Sequence, residues 1–302
     1  MKPLKINRTN DAVFKNIFAN KKHKAITIDF INSVLEFKGT AQIKDITFID
    51  RELDGETAGD KGARLDLLGE CSDGTKINIE LQVASMAEMG KRSLFYWCRI
   101  YNDLEAGEDY TELRRTVVIN ILDFNMFDKT KYPKFHSCFG IYDDETGNQL
   151  TTDFEMHFIE LPKWKLSIMG DDNKPDTQKI KELKRLEKWV SYFSRKTSPE
   201  ELEAIAMSEP MIEQALEAEV LFSQDKIAWW EYEKAEKARR DKIARENYIE
   251  NYAKNEGRIE GESNINRLYD FLKSLGRTDD VLKAVSDEMF RNKLKVEFAG
   301  QY

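Results

Sequence analysis

The feature that most constrains this 302-residue chain is a pair of alternating segments, Arg64-Leu-Asp-Leu-Leu-Gly-Glu-Cys71 and Ile77-Asn-Ile-Glu-Leu-Gln-Val83. Leu65 and Leu67 alternate with Arg64 and Asp66, while Ile77, Ile79, Leu81 and Val83 alternate with Asn78, Glu80 and Gln82. Period two is the signature of a strand with one apolar and one polar face. The connection decides how the faces meet. A two-residue Asp73-Gly74 turn would set Asp66 opposite Leu81. A three-residue loop, Ser72 to Gly74 with Gly74 left-handed, sets Asp66 opposite Glu80 and Leu65 opposite Leu81. The second register is expected, because a one-residue slip would bury the carboxylates and expose the leucines.

Directly opposed residues have Cβ atoms about 4.5 to 5.5 Å apart. Asp66 and Glu80 can therefore share one hard cation such as magnesium, with Gln82 two residues further along the same face. Without a cation the two carboxylates repel and one pKa rises; a divalent ion removes that cost and can activate water for attack on phosphorus. The same residues fit equally well a solvated polar face that carries an acid pair.

Around this hairpin the pattern is α/β. Thr9 or Asn10 can cap a helix bearing Val13, Phe14, Ile17 and Phe18 at helical spacing, and Ala25 to Phe37 repeats the pattern. Strands are expected over Ile43 to Asp50, Ala63 to Cys71 and Lys76 to Ala84, with a polar glycine-containing loop from Asp54 to Gly62. A helix from Glu88 to Glu105 follows, then a β-branched run from Arg115 to Phe124 that suits a central strand. Phe135 to Tyr142 and Asp153 to Leu161 read as two more strands turning through Asp143 to Asn148. Beyond Pro162 the chain is helical in pattern: Thr197-Ser-Pro-Glu-Glu is a helix start, Ala228 to Glu256 a charged helix, and Gly257 to Gly261 a break or hinge before a last helical segment. Trp229 and Trp230 fit packing against a neighbouring helix better than base stacking.

Composition narrows the function. No apolar run approaches the roughly 20 residues that span a bilayer, and Met1 to Ile6 has no signal-peptide hydrophobic region, so a soluble, cytoplasmic protein without membrane contact is expected. Cys71, Cys98 and Cys138 have no CxxC spacing and no histidine near them in sequence; they read as buried thiols, and a zinc site is not expected. His23, His136 and His157 lie far apart and read as scaffold residues. The net charge of −8 argues against coating nucleic acid by electrostatics alone. Residues 1–125 are nearly balanced, with about 18 basic and 20 acidic side chains.

Several separate motifs carry a resemblance: Asn10-Asp-Ala-Val-Phe-Lys-Asn-Ile-Phe18, Lys61-Gly-Ala-Arg-Leu-Asp66, Asp73-Gly-Thr-Lys-Ile-Asn-Ile-Glu-Leu-Gln82, Lys91-Arg-Ser-Leu-Phe-Tyr-Trp97 and Gly107-Glu-Asp-Tyr-Thr-Glu-Leu113. In this order, over about the first 125 residues, the chain resembles the recombination-promoting nuclease and putative transposase family of the PD-(D/E)XK superfamily. The resemblance implies a restriction-endonuclease-like αβββαβ core, with a mixed central sheet flanked by helices, followed by an all-helical C-terminal region. The expected division is 1–162 nuclease-like domain, 163–227 helical extension and 228–302 charged helical arm, the last a candidate for homo-oligomer contacts. The implied activity is a hydrolase, a metal-dependent DNA endonuclease using Mg2+ or Mn2+, with Asp66, Glu80 and Gln82 catalytic and Asp66, Glu80 and Asp11 holding the metal. Gln82 stands where the superfamily signature has lysine, and a neutral amide can only hydrogen bond. Lys15, Lys61 and Lys91 are candidates to replace that cation, and Arg92 and Tyr96 are candidate phosphate or supporting contacts. The other reading of Asp11 is an ordinary first-turn acid paired with Lys15. The alternative is a catalytically weak or inactive nuclease-like module that binds DNA or protein.

Overall fold

In the computed structural model, residues 3–37, 39–49, 52–53, 63–84, 88–104, 107–170 and 173–301 are described. The expected loop from Asp54 to Gly62, and Lys61 with it, lies outside them. Asn10 caps α1 (Asp11–Phe18) by accepting from the Ala12 amide, and α2 (Lys24–Val34) follows. The strands are β1 (Ile46–Ile49), β2 (Glu52–Leu53), β3 (Ala63–Arg64), β4 (Leu67–Cys71) and β5 (Lys76–Gln82). After α3 (Met89–Tyr101) come β6 (Thr116–Leu122), β7 (His136–Tyr142) and β8 (Gln149–Glu160). Among the described residues β2 and β3 pair with each other, and the other six strands form one sheet in the order β1-β4-β5-β6-β8-β7. Its middle is parallel (β5, β6, β8) and its two flanks antiparallel, so the sheet is mixed. β6 is buried at every position, as its β-branched run requires of a central strand.

Both faces of the sheet are covered. Ile77, Ile79, Leu81, Val117, Ile119, Ile121 and Ile159 share one core with Phe14 and Phe18 of α1 and Phe30 of α2. The helices after Leu161 complete that core: α4 (Thr177–Glu182), α5 (Arg185–Phe193), α6 (Pro199–Ser208) and α7 (Pro210–Gln224) contribute Ile180, Trp189, Ile205 and Leu216 among others. Buried Asp29 of α2 ties them down, taking hydrogen bonds from Trp189 Nε1 at 2.7 Å and from the Arg185 guanidinium. On the opposite face α3 lays Met89 over Val118, Leu122, Met156 and Phe158, and Tyr96 and Ile100 over Leu65 and Leu68. The hairpin's polar face is therefore not solvated: Asn78 and Glu80 lie beneath α3.

By their contacts the residues divide into two compact units, Met1–Ala235 and Glu236–Tyr302. The expected break at Gly257 to Gly261 is absent. α8 runs unbroken from Lys226 to Ser274, since two glycines cost a helix only about 1 kcal/mol each and the flanking residues are mostly good helix formers. In the second unit Leu268 and Leu272 pack with Val281 of α9 (Thr278–Ser286) and Leu294 of α10 (Glu288–Glu297). Trp229 packs near Phe222 and Tyr232, whereas Trp230 is exposed with Lys234 over its ring, as adjacent helical positions about 100° apart require. Of the cysteines only Cys71 is buried; Cys98 and Cys138 are exposed, against expectation, because Cys98 faces outward from α3 and Cys138 lies on the sheet-edge strand β7. No helix among the described residues is long and apolar enough to cross a membrane.

Candidate functional site

The β4–β5 hairpin has the register that buries its leucines. Leu67 pairs with Ile79 and Glu70 with Lys76, and the loop closes through Cys71 and Thr75 with Ser72, Asp73 and Gly74 between them. Gly74 has φ +84°, the left-handed conformation this loop demands at its last residue. The same register carried one step further sets Asp66 opposite Glu80. Regular pairing stops at Leu67, and there the two acids take over the backbone: the Leu81 amide donates to Asp66 Oδ2 at 2.9 Å, and the Asp66 amide lies 3.4 Å from Glu80 Oε1. Each carboxylate thus ties the other's strand.

Around this pair the charges are unequally matched. Glu80 is 2% exposed and its carboxyl is pushed up to about 7, first by burial and then by the charge of Asp66. Asn78 Nδ2 at 3.3 Å and the Arg92 guanidinium at 3.8 Å work the other way without cancelling it. Asp66 is also raised, by burial and by Asp11, against the Leu81 amide and Lys15. Lys15 sits between two acids, its Nζ 2.9 Å from Asp11 Oδ1 and 3.5 Å from Asp66 Oδ1. Burial opposes its charge, yet those two carboxylates outweigh burial and raise its pKa, so it is an ammonium at neutral pH. On the α3 side Arg92 lies over the Tyr96 ring at 5.1 Å.

Of the residues singled out from sequence, Asp66, Glu80, Lys15, Asp11, Arg92 and Tyr96 are brought together. Asp11 directs its carboxylate to Lys15. Gln82 is half-buried at the end of β5, its carbonyl accepting from the Asp123 amide at 3.0 Å. Lys91 is carried away from the acids: its side chain is 83% exposed and paired with Glu88, because it sits one position before Arg92 and so faces outward from α3. Sequence reasoning passed over Asn120, which pairs beside Glu80 on β6, accepts from Ser93 Oγ at 2.9 Å and donates to the His157 carbonyl. The signal was present, since a lone amide inside Thr-Val-Val-Ile-Asn-Ile-Leu is a buried polar group that must find partners. It also missed a second group. Cys138 pairs with His157 across β7 and β8, and His136 stacks on His157 with ring centroids 5.2 Å apart.

A mixed sheet covered by helices on both faces, with an Asp just before β4 facing a Glu on the adjoining β5 beneath the following helix, is the arrangement of a PD-(D/E)XK nuclease. The sequence model for the PD-(D/E)XK nuclease family transposases matches residues 8–250, and the chain belongs to that family. The match extends well beyond the first 125 residues, through the helices that complete the core. No curated protein and no solved structure matches the chain.

Proposed function

We propose that the protein is a metal-dependent endonuclease that hydrolyses DNA phosphodiester bonds at the Asp66–Glu80 pair. Membership of a nuclease family supplies the reaction class, a hydrolase acting on nucleic acid. The observation that carries the site is the geometry of the pair: Glu80, 2% exposed, and Asp66 face each other across the end of the hairpin, each carboxylate bound to the other's strand, and burial raises both carboxyls. Oxygen donors from two carboxylates suit a hard divalent ion, Mg2+ or Mn2+, and Asp66 and Glu80 would hold it. When bound, such an ion supplies Lewis acidity and a water acidic enough to attack phosphorus.

The chain's own groups do the rest. Lys15 presents an ammonium beside Asp66 and takes the electrostatic role of the lysine that Gln82 replaces, offsetting charge that builds on the phosphate. Asp11 acts as a positioning residue through its bonds to Lys15. Gln82 orients water by hydrogen bonding. Arg92 and Tyr96 bound the site on the α3 side, where a guanidinium can meet a phosphate oxygen. Isothermal titration with Mg2+ or Mn2+ tests the ligand pair: binding in the wild type that is lost in Asp66→Ala and Glu80→Ala supports it, and binding indifferent to Glu80→Ala overturns it.

A second reading, a module that binds DNA or protein without cutting, is favoured by one contact. Arg92 already sits 3.8 Å from Glu80 and partly supplies the charge a metal would bring. Absence of cation binding would select it.

A further inference from the structure

We propose that Cys138, Glu155 and His157 form a zinc-binding site on the face of the sheet opposite Glu80. Among the described residues this trio offers three metal-ligating atoms within 4.8 Å of one another. His157 Nε2 lies 2.8 Å from Glu155 Oε1 and 3.9 Å from Cys138 Sγ, and Cys138 Sγ lies 3.9 Å from Glu155 Oε1. Zinc bonds of about 2.3 Å to sulfur and 2.0 to 2.2 Å to nitrogen and oxygen give tetrahedral edges of roughly 3.4 to 3.6 Å. Each edge of the triangle is within about 0.6 Å of that, a span that side-chain rotation covers. Thiolate, imidazole and carboxylate together suit borderline-soft zinc, in contrast to the all-oxygen Asp66–Glu80 pair.

The arrangement separates a metal site from a thiol nucleophile. In a Cys–His–acid triad the thiol takes one ring nitrogen and the acid the other. Here both converge on Nε2, while Nδ1 faces His136 Nε2 at 2.9 Å. Convergence on one nitrogen is what a cation between them would require. The pair His136–His157 then acts as an outer hydrogen bond that holds the ligating ring, Nδ1 donating to His136. Arg115 binds the other oxygen of Glu155, fixing the carboxylate and leaving Oε1 for the metal. Cys138 and Glu155 open onto a cleft of about 500 Å³, which leaves a fourth position for water. Two register shifts in the β7–β8 ladder lie beside the site, the kind of irregularity that re-aims side chains. On binding, the thiol proton passes to solvent and sulfur enters as thiolate.

The test is a Co2+ titration of the full chain after removal of metal by EDTA, followed by competition with Zn2+. The expected spectrum has tetrahedral visible bands and a near-ultraviolet thiolate band for one equivalent, abolished by Zn2+. Cys138→Ser should lose the thiolate band and His157→Gln should weaken binding at least tenfold, whereas Asp66→Asn with Glu80→Gln should leave the spectrum intact. A wild-type spectrum without a thiolate band overturns the proposal regardless of how the variants fold. A thiolate band that persists in Cys138→Ser overturns it too.

Discussion

At the scale of single residues, Glu80 and Lys15 carry the most consequence. Glu80 has a folded pKa of about 7 against about 4.5 in an unfolded chain, so between those values the native state holds a proton the unfolded state has released. Its contribution favours folding below pH 4.5 and is lost as pH rises through 7, a change of order 3 kcal/mol. Metal-free protein should therefore lose stability over that window, and Glu80→Gln should flatten that part of a urea-stability profile. Equal profiles for the two proteins would mean Glu80 is not raised. Added Mg2+ should recover the loss above pH 7 in the wild type alone. Lys15→Gln is expected to lower the cleavage rate about a hundredfold while leaving metal affinity within a few-fold, because Lys15 is cast as a partner of the phosphate. An unchanged rate would return that role to another group.

At the scale of elements, the hairpin shows what patterning can and cannot reveal. Its register was legible because one slip would have turned Leu67 out of the core and Asp66 away from Glu80, so polarity alone selected the Ser72–Gly74 loop. Leu65, expected beside Leu67, instead packs with Leu68, Tyr96 and Ile100 on the α3 face, because regular pairing ends at Leu67. That loop can be probed at Gly74, where φ is +84° and an added Cβ would also meet Arg114 Cδ at 3.2 Å. Gly74→Ala should cost about 1 to 2 kcal/mol in chemical denaturation, and a midpoint that did not move would contradict the left-handed turn. The β7–β8 hairpin was not legible in the same way. Its turn end pairs Tyr142 with Gln149, which continued regularly would set Cys138 against Asp153, yet the ladder shifts and sets Cys138 against His157. Nothing in residue periodicity marks such an irregularity, so the cysteine and the two histidines read as isolated. Burial of the polar face under α3 was likewise invisible, because alternation shows that Asn78 and Glu80 point together and not what covers them.

At the scale of the whole molecule, the family match ends at residue 250, inside α8, so most of the second unit lies beyond it. The charged helix was evident from composition, and its passage through Gly257 and Gly261 was not, since local breakers were outweighed by the helix formers on both sides. α8 leaves Ile227, Trp230, Ile243 and Tyr248 exposed, which supports the proposal that C-terminal helices mediate self-association. Light scattering should give a mass above the 35.2 kDa of one chain, and a monomer at every concentration would remove that proposal.

The central claim is that Asp66 and Glu80 together cut DNA. Supercoiled plasmid incubated with Mg2+ and wild-type, Asp66→Asn or Glu80→Gln protein tests it directly. The wild type should nick the plasmid, with nicking reduced at least a hundredfold in both variants and absent in EDTA. Equal cutting by all three proteins would contradict it.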